Sequence, residues 1–493
     1  VTTRYIVQRA TTREVLTYDA PLVTHDDLTR NLSKSGSVVL QISPDVGVLQ
    51  KAKDGRLLWE KWGTLVTIET DSEIRFRGIV DRVTWDVRAG AWNIEVVSIA
   101  GYAYGMPFQG TPYYGAEVDP ADVYRMIWSH LQSFPDSDLA VRVVGKTSVR
   151  VGSFSTANKT DTLNAYNVAT KDYNAENAEL KRLRAIVAAS RKEFTRLNGI
   201  KTERSKALTA AKAKRPKDPT AIDAAQVALN AATNATTTQN AVIDTQQRAV
   251  DAQATVVRKA KAVKDTAYAA KVKASKTAKD DGGAWTLLWW EAPDCGRSID
   301  DLAATAPFDW FERHYWSGDE PRTEIVIAYP RAGRRLSGPT DPTFEQGVNI
   351  VVPLEVEDDG DDYANGIYGV GAGEGAGSLR RSTAKRDGRL RRVRTFTNKG
   401  VKRAATMDAR LTVELNSHLQ TAGVSKIVVV DHPNSRPGTY GLGDEIYVRG
   451  AVPHLGQFAE WHRIVGITEK QDGTTELALA LASTFTYGKG IDQ

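Results

Sequence analysis

The sequence predicts an α+β multidomain fold. It has two small β-barrel domains at the chain ends, a central α/β domain, and a long antiparallel α-helical hairpin inserted into the latter. Three observations predict this. Composition changes sharply twice along the 493 residues, near residues 156 and 282. The outer parts carry short β-branched runs with period-two alternation and frequent glycines, the pattern of half-buried strands. The middle part is almost free of glycine, rich in Ala, Lys, Asn, Thr and Gln, and repeats its apolar residues in heptads. One core rarely exceeds about 250–300 residues, so a chain of this length divides into domains.

Taken in order, residues 1–107 are expected to form the N-terminal barrel. Its strands are Ser37–Ile42, Thr64–Glu69, Ile74–Val80 and Trp92–Val97, with a hairpin turn at Asp86–Gly90. The central α/β domain takes 108–156 and 282–350. It opens with a helix at Asp119-Pro120, where Asp119 is placed to cap and proline suits the first helical position. Thr323–Ala328 and Val348–Val352 read as its later strands.

Residues 157–281 form the helical coiled-coil hairpin. Tyr166, Tyr173, Leu180, Val187, Phe194 and Leu208 share one heptad position, and Ala169, Leu183, Leu197 and Ala211 the other. Arg215-Pro216-Lys217-Asp218-Pro219-Thr220 breaks the helix, because proline lacks the amide donor. Val227, Ile243, Val250, Val257 and Val263 are the larger apolar residues of the second arm, and Gly199 and Thr236–Thr238 mark expected bends. Residues 351–423 hold an acidic turn, a glycine-rich loop, a basic segment and an amphipathic helix at Ala404–Ala422. The second barrel spans 424–493, with strands at Lys426–Val430, Glu445–Val448, Ile464–Ile467 and Glu476–Leu481.

The two ends echo each other. Gly63, Leu65 and Ile68, then Gly78–Val83, a turn at Gly90, and Trp92, Ile94 and Val96 match Gly443, Ile446 and Val448, then Arg463–Ile467, a turn at Asp472-Gly473, and Leu477, Leu479 and Leu481. A duplicated unit lets three copies build a ring with six similar parts. Closed rings from head-to-tail contacts are ordinary oligomer geometry.

A net charge of +5 does not mark a dedicated nucleic-acid binder. The single cysteine, Cys295, makes no intrachain disulfide, as expected for assembly in a reducing cytoplasm. Val1–Ala10 lacks a secretory pattern, and no run approaches the ~18 apolar residues of a membrane span.

Catalytic, cofactor-binding and metal-ligating residues are all expected to be absent. Asp431-His432 with Ser435 lacks a nucleophile elbow and reads as a loop. His418, His454 and His462 have no metal-ligand spacing. Asp358, Asp359, Asp361 and Asp362 lack the spaced ligands and closing Glu of a calcium loop. Gly369–Gly377 has no G-K-[ST] ending, so its glycines serve turns or close packing. Trp285, Trp289, Trp290, Phe308, Trp310, Phe311, Tyr315 and Trp316 sit among Leu287, Leu288, Ile299 and Leu302, which favours core packing over a carbohydrate platform. The basic run Arg380, Arg381, Lys385, Arg386, Arg389, Arg391, Arg392 and Arg394 leaves three readings open: phosphates in a channel, an acidic neighbour, or an exposed face.

Several motifs, in this order, carry a resemblance. They are Trp289–Arg297 leading into Ile299–Ala303, then Pro307–Glu312, Tyr329–Arg335, the Gly371–Ala376 loop, and the closing Gly443–Val448. The chain resembles the minor tail proteins of siphophages of actinobacteria, which are similar to tail-tip and baseplate hub proteins. The resemblance covers the β-rich ends and 285–380, not the helical hairpin. It implies a virion protein of the tail tip, made in the host bacterial cytoplasm, and a structural homotrimer rather than an enzyme. Its implied partners are the distal tail protein, the tape-measure protein and other minor tail proteins, with phage DNA passing transiently. A receptor-binding adhesin and a cell-envelope-degrading enzyme are the rival readings.

Overall fold

The computed structural model describes residues 2–43, 51–52, 55–88, 90–281, 283–306, 308–357, 360–361, 363–373, 375–398, 401, 403–419, 423–452 and 456–485. It contains two compact units, Val1–Phe154 with Asp280–Gln493, and Ser155–Lys279.

In the first unit the chain begins with β1 (Thr3–Arg9), β2 (Val15–Thr17), β3 (Val23–His25), β4 (Leu28–Asn31) and β5 (Ser37–Ile42). It continues with β6 (Thr64–Thr70), β7 (Glu73–Asp86) and β8 (Ala91–Ser98). β6, β7 and β8 form an antiparallel meander, flanked by β1 on β6 and β5 on β8. Tyr5, Val7, Leu40, Trp59, Ile68, Phe76, Val80 and Ile94 fill its inner face.

β9 (Tyr113–Gly115), α1 (Pro120–Leu131) and β10 (Arg142–Val144) follow. Asp119 caps α1 as expected, accepting from the Ala121 amide at 2.9 Å. It also accepts from the Thr147 hydroxyl at 2.9 Å, which fixes the next loop.

The second unit is a helical hairpin of α2 (Ser155–Ala213) and α3 (Pro219–Asp281). They hold 59 and 63 residues, about 90 Å each at ~1.5 Å per residue. Asp218 caps α3, accepting from the Thr220 amide at 3.0 Å. Ala169, Leu180, Val187 and Leu208 are buried on α2, as the heptads predict, and Ile243 and Val250 on α3, with Leu180 and Val187 packed together with Val250. Two glutamines set the register. Gln239 Nε2 donates to the Ser190 carbonyl and Gln253 Nε2 to the Glu176 carbonyl, both at 3.1 Å. Of the larger apolar residues of the second arm, Val227 and Val263 are 66% and 61% exposed. Both helices run unbroken through Gly199 and Thr236–Thr238, where bends were expected. In a long packed pair, tertiary contacts override small losses of propensity.

Returning to the first unit, β11 (Trp285–Leu287) pairs with β9. Then come α4 (Cys295–Thr305), β12 (Asp309–Ser317) and β13 (Glu320–Ala328). β12 and β13 make a nine-pair hairpin, with β10 parallel to β13. Tyr124, Trp128, Leu302, Trp310 and Ile325 form the core between this sheet, α1 and α4.

The remaining elements are β14 (Phe344–Glu345), β15 (Val356–Glu357), β16 (Gly366–Val370), β17 (Arg380–Ala384), β18 (Val393–Thr397) and α5 (Ala404–Leu419). β19 (Gly423–Val424), β20 (Lys426–Val429), β21 (Glu445–Val452), β22 (Gly456–Glu469) and β23 (Thr475–Leu481) end the chain. α5 packs on β16–β18 through Met407, Leu411 and Leu415. Gly369 is required there, because a Cβ would lie 2.8 Å from both Met407 Sδ and Leu411 Cδ2.

Two expectations are corrected. Val348–Val352 is not a strand. Buried Asn349 binds the Glu345 amide and the Thr343 carbonyl, and folds the segment into a turn in which only Ile350 bridges to Val429. Nor do the described strands close into two barrels. The strands of both chain ends join in one thirteen-stranded sheet, whose main path runs from β14 to β2. The reason is β4, which hydrogen-bonds antiparallel to β22 over four residue pairs and so links the two ends edge to edge.

Candidate functional site

The residues resembling a hydrolase site are engaged structurally. Ser435 is fully buried, and its hydroxyl accepts from Asn349 Nδ2 at 2.7 Å. The His432 ring Nδ1 instead accepts from the Asn434 amide at 3.1 Å. His462 Nε2 accepts from the Val424 amide at 3.1 Å, which leaves Nδ1 to donate to the Glu460 carbonyl. Burial keeps this ring below the ordinary histidine pKa. His418 lies 3.2 Å from Glu414, one helical turn away. His454, Asp358, Asp359 and Asp362 lie outside the described residues. Asp361 pairs with Arg392 at 3.0 Å. Among the described residues no three His, Cys, Asp or Glu side chains gather to hold a metal, and no helix is long and apolar enough to cross a membrane.

Cys295 is buried, and desolvation beside Asp294 pushes its thiol up to about 12, so the thiolate needed for reactivity is not formed near neutral pH. The aromatic cluster divides. Phe308 and Trp310 are core residues, whereas Trp289 and Trp290 stand 53% and 54% exposed, stacked edge to face at 5.7 Å. A cavity of about 330 Å³ beside Trp285 is lined by Leu288, Asp301, Asn398, Arg403 and Arg410. Arg410 donates to the Asp301 carbonyl and the Thr305 hydroxyl at 2.6 Å, and Asn398 donates to the Asp301 carboxylate at 2.9 Å. Arg410, Asp301, Thr305 and Asn398 are thus engaged with one another.

The duplicated sheet unit is the most developed feature. β6, β7 and β8 hold 7, 14 and 8 residues; β21, β22 and β23 hold 8, 14 and 7. Each long middle strand has its irregularity at the corresponding point, between Val80 and Arg82 and between Ile464 and Gly466. Each third strand takes a further antiparallel neighbour, β5 on β8 and β20 on β23. The sequence echo covers three strands; the structural repeat covers four.

Both repeats send a fully buried arginine from the middle strand toward the β12–β13 hairpin. Arg463 Nη2 binds Asp309 at 2.5 Å, and Arg463 also donates to the Gly443 and Ala332 carbonyls. Gly333 allows this approach: at its φ of +71° a Cβ would strike the Gly443 carbonyl carbon at 2.2 Å. Arg77 reaches the Thr323 hydroxyl at 3.4 Å. The signal for these arginines was absent from local sequence, because Asp309 lies far along the chain from Arg463.

Beside Arg77, Glu312 Oε2 lies 3.9 Å from His314 Nε2, with both side chains nearly buried. Desolvation raises the Glu312 carboxyl to about 7, opposed by bonds from the Ala100 amide and Ser98 and by the Arg77 charge. Desolvation, then Arg77 and Arg30, lowers His314 to about 3. The signs oppose. Native Glu312 holds a proton that the unfolded chain releases above its ordinary 4.5, so its contribution falls as pH rises to about 7. Unfolded His314 takes up a proton below its ordinary 6.5, so its contribution falls as pH drops to about 3. Between these ordinary values the slopes offset each other. Melting temperature across this range is expected to plateau at mildly acid pH and fall on both sides. Glu312→Gln removes the falling slope, so stability should rise with pH from about 3 up to 6.5 and then stay level; an unchanged profile would contradict the assignment.

The fold is thus a mixed α+β chain with a repeated four-strand unit and a separate helical hairpin. No protein-family model matches it, and no curated protein does. Among solved structures it is similar to the 43 kDa tail protein of prophage MuSo2 from Shewanella oneidensis. The TM-score is 0.48 at 9% identity, over 98% of this chain and 99% of that one. It is also similar to the tail protein from Neisseria meningitidis MC58, with a TM-score of 0.43 at 9% identity over 98% of each chain. At identities and scores this low, neither likeness assigns a role to the chain.

Proposed function

We propose that this chain is a structural hub of a bacteriophage tail tip. Three copies form a ring that joins the tail tube to the tip complex and surrounds the path of the tape-measure protein and DNA. The observation that carries the reading is the repeat. Three copies bring six equivalent sheet units, so the ring matches a six-fold tube on one side and a three-fold tip on the other. The order of the motifs from Trp289 to Val448 supports it.

The ring contact has a template within the chain. Gly466–Glu469 of β22 pair with β23 on one side and β4 on the other. The corresponding part of β7, Arg82–Asp86, pairs with β8, and no described strand covers its second edge. An open edge is a site for pairing with another chain. Trp85 and Val87 stand beside it, 43% and 81% exposed.

The adhesin reading has one observation of its own, the exposed Trp289–Trp290 pair. Light scattering of the full chain separates the two readings. The hub predicts three times the 53.9 kDa chain mass and no retention on host cells. A monomer that binds cells would favour the adhesin.

A further inference from the structure

The loop from Lys385 to Arg392, between β17 and β18, is built rather than slack. Buried Asn365 fastens it at both ends: its carbonyl accepts from the Lys385 amide at 2.9 Å, and its side-chain oxygen accepts from the Arg392 amide at 2.8 Å. Its Nδ2 donates to the Leu390 carbonyl at 3.1 Å. The loop's one acid, Asp387, is exposed but engaged within the loop, accepting from the Tyr363 hydroxyl at 2.6 Å and from Asn365 at 3.2 Å. Arg389 stacks over the Tyr363 ring at 4.9 Å. Arg392 is held by Asp361.

The exposed groups left outside these contacts are cationic and apolar together. Lys385, Arg386 and Arg391 are exposed and make no ion pair among the described residues. Leu390 between them is 92% exposed, the highest value of any large hydrophobic side chain among the described residues. Phosphate-backbone contacts require only the cations. An aliphatic side chain held in water at the tip of a basic loop fits a surface that offers phosphates at one depth and hydrocarbon just beneath.

We propose that this loop docks on an anionic lipid bilayer, with Leu390 entering the acyl boundary and Lys385, Arg386 and Arg391 at phosphate depth. The inference rests on the loop alone and stands apart from the hub reading. Co-sedimentation of the full chain with vesicles tests it. Phosphatidylcholine vesicles containing phosphatidylglycerol are expected to retain the chain, and phosphatidylcholine alone to release it. Leu390→Ser should weaken retention about tenfold, from the loss of one buried aliphatic side chain. Arg386→Gln and Arg391→Gln should each weaken it about fivefold. All three side chains are exposed, so unchanged circular dichroism and melting are expected for the variants. Retention that ignores phosphatidylglycerol or Leu390→Ser would overturn the proposal, as would no retention at all. Binding of duplex DNA without vesicle binding would reassign the loop to nucleic acid and equally overturn it.

Discussion

Asp309→Ala is expected to destabilise the sheet unit by about 3–5 kcal/mol, because it removes a bound carboxylate from a guanidinium buried in the interior. Arg463 is wholly buried, and Asp309 binds its guanidinium through both carboxylate oxygens, at 2.5 and 3.4 Å. Asp309 also accepts from the Ala332 amide at 2.7 Å, so the substitution frees a second buried donor. The double variant Asp309→Leu with Arg463→Met should recover most of the loss, since an apolar pair of similar volume carries no desolvation penalty. The readout is selective. All eleven tryptophans lie outside Ser155–Lys279, so urea unfolding followed by tryptophan fluorescence reports the sheet unit alone. A loss below about 1 kcal/mol, the range of an exposed ion pair, would contradict the role given to this bridge.

Trp85→Glu is expected to shift the proposed trimer toward monomer by about 30-fold or more in dissociation constant, as for the loss of an aromatic anchor worth ~2 kcal/mol or more. Trp85 stacks edge to face on Trp92 at 5.2 Å beside the open edge of β7. The chain itself should stay folded, because that stacking contributes only ~0.5–1.5 kcal/mol. Sedimentation at graded concentrations, with melting on the same samples, separates the two effects. A trimer unmoved by Trp85→Glu would exclude this edge from the ring contact.

Much of this architecture was legible in local sequence, for a physical reason. Strands such as Ser37–Ile42 and Thr475–Leu481 bury alternate apolar residues, and that alternation is written in each segment. The α2 seam was legible through Leu180 and Val187 at heptad spacing. The facing stripe of α3 was legible only in part, through Ile243 and Val250, because Gln239 and Gln253 also occupy it and bond to backbone carbonyls. β4, with the sequence LTRN, is too short and polar to announce itself, yet it joins the two chain ends through β22. β12 carries Glu312 and His314 on a buried stretch, which masks its strand pattern. The basic loop was visible as charge. That Asp387 is engaged and Leu390 is held outward depends on Asn365 and Tyr363, which precede the loop on the far side of β16.

Cryo-electron microscopy of assembled tails tests the central claim most directly. Three copies around the tail axis, with the β5–β8 and β20–β23 units of each at nearly equal radius and six such units closing one ring, is the predicted result. Copies lying off the axis, or two units of each chain at clearly different radii, would contradict the hub and leave the repeat without a role in symmetry matching.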